Sequence, residues 1–82
     1  MELLRKDGWF VGRSAGSHSP VDVFAARLGV TLLIQVKNGK ARMKAQEAKE
    51  LVKWAQAFNA DAEIWHFKGR GHLEKRRIFA RK

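Results

Sequence analysis

Apolar positions along the chain change their period several times, and each change predicts an element. Glu2 to Lys6 reads as a helical stub closed by Asp7-Gly8, because glycine readily takes the left-handed conformation that ends a helix. Trp9, Phe10 and Val11 are aromatic or β-branched and predict a strand. Ser14-Ala15-Gly16-Ser17-His18-Ser19-Pro20 is a cluster of turn formers and predicts a loop. Val21 to Leu28 and Val30 to Lys37 are apolar runs of strand length, and Leu28-Gly29 leaves room only for a tight hairpin between them.

From Lys40 to Phe58 the period lengthens. Ala48, Leu51, Val52, Ala55 and Phe58 recur at three- and four-residue steps, with Lys49, Glu50 and Lys53 elsewhere, which predicts an amphipathic helix stopped at Asn59. Ala62 to Phe67 alternates as a strand, Gly69-Arg70-Gly71 breaks it, and Arg76 to Ala80 predicts a last strand. The order αβββαββ, with a central hairpin and one long helix against a sheet, is a mixed α/β (α+β) fold in a single domain, residues 1–82.

Charge changes the picture. Against 8 Asp or Glu stand 17 Lys or Arg, a net +9 on 82 residues, so the partner expected is a polyanion. A hydrophobic fraction of 45%, with three Trp and five Phe, excludes a disordered basic tail. The chain has no Cys, which removes disulfides and thiolate metal sites as supports for so short a domain and makes a homodimer the expected remedy. The first residues lack a signal-peptide core, and the longest apolar run is far below the roughly 20 residues of a membrane span. A cytoplasmic, intracellular protein without a membrane partner is expected.

Hairpin counting locates candidate chemistry. A turn centred on Leu28-Gly29 sets Arg27 against Val30 and, carried outward, Asp22 against Gln35, with Lys37 on the side of Gln35. Val30, Leu32, Ile34 and Val36 then face the opposite way as core. A carboxylate, an amide oxygen and a backbone carbonyl, that of Val36, form a hard oxygen set suited to Mg²⁺ or Mn²⁺. The Lys37 ammonium beside it would orient a water or stabilise charge on a phosphate, so the implied chemistry is phosphodiester hydrolysis. Asp22, Gln35 and Lys37 read equally as a hydrogen-bonded cross-strand group without catalytic part.

The motif around these residues resembles the archaeal-type Holliday-junction resolvases of the PD-(D/E)XK, restriction-endonuclease-like nuclease superfamily. Gly8-Trp9-Phe10-Val11 followed by Arg13-Ser14-Ala15-Gly16-Ser17 is similar to their Gly-aromatic strand and serine loop. Pro20-Val21-Asp22 is similar to their metal-binding Asp motif, and Gln35-Val36-Lys37 fills the (D/E)XK position. The resemblance covers most of the chain. It implies a central mixed sheet flanked by helices, a homodimer with two active sites, and a role for Ser17 near the scissile phosphate, where its other reading is a turn-forming serine.

Departures from that pattern accompany the match. Gln35 replaces the family's usual acid with a neutral oxygen donor. The catalytic Glu that the resemblance implies in the first helix would lie several turns ahead of Gly8-Trp9, beyond the start of this chain. Glu2 either substitutes for it or is a helix-start charge favoured by the dipole, and a start upstream of Met1 is the other alternative.

The surplus cations fall in two groups. Lys40, Arg42, Lys44 and Lys49 surround the start of the long helix, while Lys68, Arg70, Arg76 and Arg77 lie in the C-terminal quarter with further basic residues. With Arg13 and Ser17 at the serine loop, these are the expected DNA contacts. Phosphate contacts of this kind carry no base sequence, and no zinc finger or RNA-binding aromatic motif suggests base reading. The function expected is a Mg²⁺-dependent, structure-selective DNA endonuclease acting on four-way junctions by paired nicks. The alternatives are a general repair or phage nuclease of the same superfamily, a catalytically silent DNA-binding module, and RNA binding.

Overall fold

The computed structural model describes residues 2–13, 19–42 and 44–81. These residues form α1 (Glu2–Lys6), β1 (Phe10–Arg13), β2 (Val23–Arg27), β3 (Val30–Asn38), α2 (Ala45–Phe58), β4 (Asp61–Gly69) and β5 (His72–Phe79). The strands lie in sequence order in one sheet, β1-β2-β3-β4-β5. Neighbours are antiparallel except β3 and β4, which run parallel. A parallel pair needs a long crossover, and α2 is that crossover.

Both tight hairpins need positive φ at their two central residues. Leu28 and Gly29 adopt φ 47 and 80, with Arg27 opposite Val30. Arg70 and Gly71 adopt φ 49 and 78, with Gly69 opposite His72. These are the values that twist a two-residue turn in the sense of the flanking strands. Glycine takes them freely, whereas Leu28, which is 98% exposed, does so against its side chain and without burial in return.

The sheet is covered unequally. On one face Leu51 and Ala55 of α2 pack on Val21, Leu33, Ala62 and Ile64, with Phe24, Trp54 and Ile78 at the margin. On the other face Val23, Ala25, Leu32, Ile34 and Trp65 gather under Leu4 of the five-residue α1. No described helix is long and apolar enough to cross a membrane.

Several boundaries differ from the sequence pattern for physical reasons. The ladder between β2 and β3 ends at Val23 opposite Ile34, and the N–H of Asp22 goes to Ile34 O at 2.9 Å. One residue is thereby taken up, which turns Val21 to the helix side of the sheet together with Phe24. Asp22 therefore does not stand directly opposite Gln35. The helix begins at Ala45 instead of Lys40, since Lys44 is still extended at φ −82 and ψ 151. Asn59 closes it in the left-handed conformation, φ 52, as its sequence position predicts. Finally, β5 starts at His72, four residues earlier than its apolar signal, because an exposed edge strand can carry Glu74-Lys75-Arg76-Arg77 without alternation.

Candidate active site

A helix that crosses between parallel strands begins above the C-terminal end of the first one. The first turn of α2 therefore lies over the end of β3, where the two-residue repeat turns Gln35 and Lys37 toward the helix side. Glu47, in that first turn, meets both. Its Oε2 accepts from Lys37 Nζ at 2.8 Å and from Gln35 Nε2 at 3.2 Å, while its Oε1 accepts the backbone N–H of Lys44 at 3.1 Å. The Lys37 ammonium, then the Lys44 N–H, hold the Glu47 carboxyl below the usual carboxylate range.

Asp22 comes in from the segment just before β2. Its Oδ2 accepts the backbone N–H of Val36 at 2.7 Å, occupying the place that β2 has vacated. Gln35 is 8% exposed, and its Oε1 is a buried oxygen without a hydrogen-bond partner among the described residues. An orphaned amide oxygen of this kind fits a hard cation or a water bound to one. The donor set is mixed, however: among the described residues no group of three or more His, Cys, Asp or Glu is placed to hold a metal ion.

Two depressions flank this cluster. One, of about 330 Å³, is lined by Ser19, Pro20, Gln35, Gln46, Glu47 and Glu50 with Trp54. The other, of about 390 Å³, is lined by Lys37, Arg42, His66, Lys68, Glu74 and Arg76 beside Ile64. Glu47 bonds a residue of each, so acidic and amide groups lie on one side and mostly basic groups on the other. Within the basic depression His66 Nε2 lies 2.6 Å from Gly39 O, a contact that only an N–H satisfies.

The family model for archaeal Holliday junction resolvase (hjc) matches residues 1–79. The chain belongs to this resolvase family. A solved structure of a Holliday junction resolvase, Hjc from Archaeoglobus fulgidus, an archaeal hyperthermophile, is similar to it at 28% identity and a TM-score of 0.80. The match covers 94% of this chain and 69% of that one. A comparison with curated proteins gives no match. The mixed sheet, the flanking helices and the order αβββαββ are thus those of a junction-resolvase fold, and the family is one of nucleases acting on junction DNA.

Against this resolvase fold, the residues singled out in the sequence fall into distinct places. Asp22, Gln35, Val36 and Lys37 gather at the ends of β2 and β3. Glu2 opens α1, but its side chain, like Ser17 and His18, lies outside the described residues. Beside these, Gln46 of α2 is exposed, 3.4 Å from Glu50 Oε1, and lines the same depression as Gln35.

Of the expected DNA contacts, Arg42, Lys68 and Arg76 share the basic depression, where Lys68 pairs with Glu74 at 2.9 Å. That ion pair holds the Glu74 carboxyl below its ordinary value. Arg13, Lys40, Lys44 and Arg70 are exposed. Arg77 lies on the other face of the sheet, paired with acids. It stands opposite Glu63, a residue alternating away from the helix side, and its guanidinium is 2.8 Å from Glu63 and 3.7 Å from Asp61. Chiefly through the bond to Glu63, its already high pKa is raised further. These ion pairs tie β5 to β4.

Sequence reasoning missed Glu47. A Glu three residues past an N-cap is the second half of a capping box, but the signature expects Ser, Thr, Asp or Asn at the cap. Here the cap is Lys44, and the helix was expected to begin at Lys40.

Proposed function

We propose that the chain is a metal-dependent endonuclease that resolves four-way DNA junctions by paired nicks, acting as a homodimer with Mg²⁺ or Mn²⁺. The observation that carries this reading is the gathering of Asp22, the Val36 backbone, Gln35 and Lys37 at the ends of β2 and β3, within a chain of the resolvase family. Asp22, Gln35 Oε1 and the Val36 carbonyl would hold the cation. When bound, such a cation polarises a phosphoryl oxygen and lowers the pKa of a water.

The chain's own residues do the rest. Lys37, 17% exposed and held by Glu47, keeps an ammonium beside the site to hold a phosphate oxygen or the attacking water. Arg42, Lys68 and Arg76 lead away from it as a basic path for the phosphate backbone. Arg13, Lys40, Lys44 and Arg70 would extend that path. Ser17 keeps the role that the resemblance gives it, near the scissile phosphate, and Glu2 would substitute for the helix carboxylate that the resemblance places further upstream. Two subunits would each cut one strand, and the exposed β1 edge with Phe10, 83% exposed, offers apolar surface for a second copy. A DNA substrate places the protein inside the cell.

Incubation with Mg²⁺ and a labelled four-way junction, beside a linear duplex of the same sequence, tests the activity. Symmetric nicks in the junction alone are expected. Equal cutting of both would leave a nuclease without junction preference.

A second reading has its own support: Gln35 brings no charge, and the described residues hold no cluster of three metal-binding acids or histidines. It makes the chain a silent junction-binding module. Replacing Asp22 by Ala separates the two, since an enzyme loses nicking while keeping junction affinity and a silent module has no nicking to lose.

A further inference from the structure

The two ends of a glutamine amide have nearly the same shape, so its neighbours decide which one faces a site. At Gln35 the deciding neighbour is Glu47. An ionised carboxylate only accepts hydrogen bonds, so the end of the amide that meets Glu47 Oε2 at 3.2 Å is the NH₂. The oxygen, Oε1, is left as the other end, buried and without a donor among the described residues.

Glu47 is itself held on both sides. Its Oε1 takes the Lys44 N–H and its Oε2 takes the Lys37 ammonium as well as Gln35. Its two oxygens thus already receive three donors, which makes it a poor direct metal ligand and a good anchor. Resting on the nuclease reading above, we infer that Glu47 is a positioning residue. It locks the Gln35 amide with its oxygen presented to a divalent cation, and it fixes the Lys37 ammonium beside that oxygen. The negative charge absent from β3 is supplied at one remove, from α2. A neutral glutamine then serves where a freely turning amide would present its NH₂ half the time.

Calorimetric titration of the whole chain with Mn²⁺, alongside thermal unfolding and junction cleavage, tests this. Loss of an outer partner of a metal ligand weakens metal binding about tenfold to a hundredfold, and Glu47→Ala is expected to do so below its unfolding temperature. The double variant Gln35→Glu with Glu47→Gln interchanges donor and acceptor while keeping the bond, and it is expected to recover the affinity. A helix-capping role alone predicts a lowered Tm with unchanged Mn²⁺ affinity in Glu47→Ala, and that result overturns the inference.

A second measurement needs no variant. On adding Mg²⁺ to the unaltered protein, the side-chain carbonyl carbon of Gln35 should shift in the NMR spectrum together with the carboxyl of Asp22. A shift at Asp22 without one at Gln35 also overturns the inference. If the unaltered chain neither takes up Mn²⁺ nor cuts junctions, the nuclease reading fails and takes this inference with it. Uptake and cleavage with equal Mn²⁺ affinity in Glu47→Ala remove the inference alone.

Discussion

Asp22 is bonded to the backbone of Val36, its Oδ2 accepting the N–H at 2.7 Å, at the point where β2 has stopped pairing. The carboxylate stands in for a missing strand. It satisfies an N–H that the ladder would otherwise have served, and in doing so it is anchored beside the proposed metal site.

These two duties can be separated. Asp22→Asn keeps an acceptor for Val36 and should leave stability within about 0.5 kcal/mol, the range of a substitution that disturbs no special feature. Asp22→Ala loses the bond and should cost about 1 kcal/mol. Both should abolish junction nicking while leaving junction affinity within a few-fold. Urea unfolding, a cleavage gel and a shift assay on the same preparations check all three statements.

The basic residues should divide by face. Arg42→Ala and Arg76→Ala are expected to reduce the slope of log affinity against log salt by about 1 each, because each removes a phosphate contact. Arg77→Ala should leave that slope unchanged. It should instead destabilise by roughly 1 kcal/mol, since it strands the carboxylates of Asp61 and Glu63, which are mostly shielded from water, without their cation. Binding isotherms at several salt concentrations, with thermal melts, distinguish the two behaviours.

The Leu28 turn is a place to gain stability. A left-handed φ costs a non-glycine residue about 1–2 kcal/mol, and Asn carries less of that cost. Leu28→Asn should therefore stabilise by roughly 1 kcal/mol, raising Tm by about 4–8 °C in a domain of this size. Leu28 is distant in the fold from the ends of β2 and β3 that carry Asp22, Gln35 and Lys37, so nicking should be unaffected.

Most of this architecture was legible because it is written in local signals. The turn at Leu28-Gly29 sets the register of β2 against β3, and the switch of period after residue 40 announces the crossover helix. The resolvase pattern around Asp22 and Gln35-Val36-Lys37 was legible for the same reason. What escaped is non-local. Extrapolated pairing put Asp22 across from Gln35, whereas the bond to Ile34 O takes up a residue and swings its carboxylate to Val36. Glu47 escaped because its importance depends on where the helix starts, and a lysine at the cap hides that start. Arg77 looked like its neighbour Arg76, but adjacent residues of a strand face opposite ways, and only the pairing of β4 with β5 shows which of them meets Glu63.

The ionisation of Glu47 also sets a pH dependence. Its carboxyl titrates lower in the folded chain than in the unfolded one, because of Lys37 first and the Lys44 N–H next. Its contribution to stability is complete above the unfolded carboxylate range, roughly pH 4, and is lost as the pH falls through the lowered folded value. The difference in Tm between the unaltered chain and Glu47→Gln should thus be largest near neutrality and shrink in acid. A difference that held constant down to pH 3 would contradict the ion pair as its source.

Helix ends fray before helix middles, and the amide of Lys44 that Glu47 holds belongs to such an end. When that turn melts, the side chains of Gln35 and Lys37 lose Glu47 in one event, so the order of the proposed site is governed by a local opening and not by the melting of the whole sheet. Warming should therefore slow strand cutting several degrees before the tryptophans report collapse of the core.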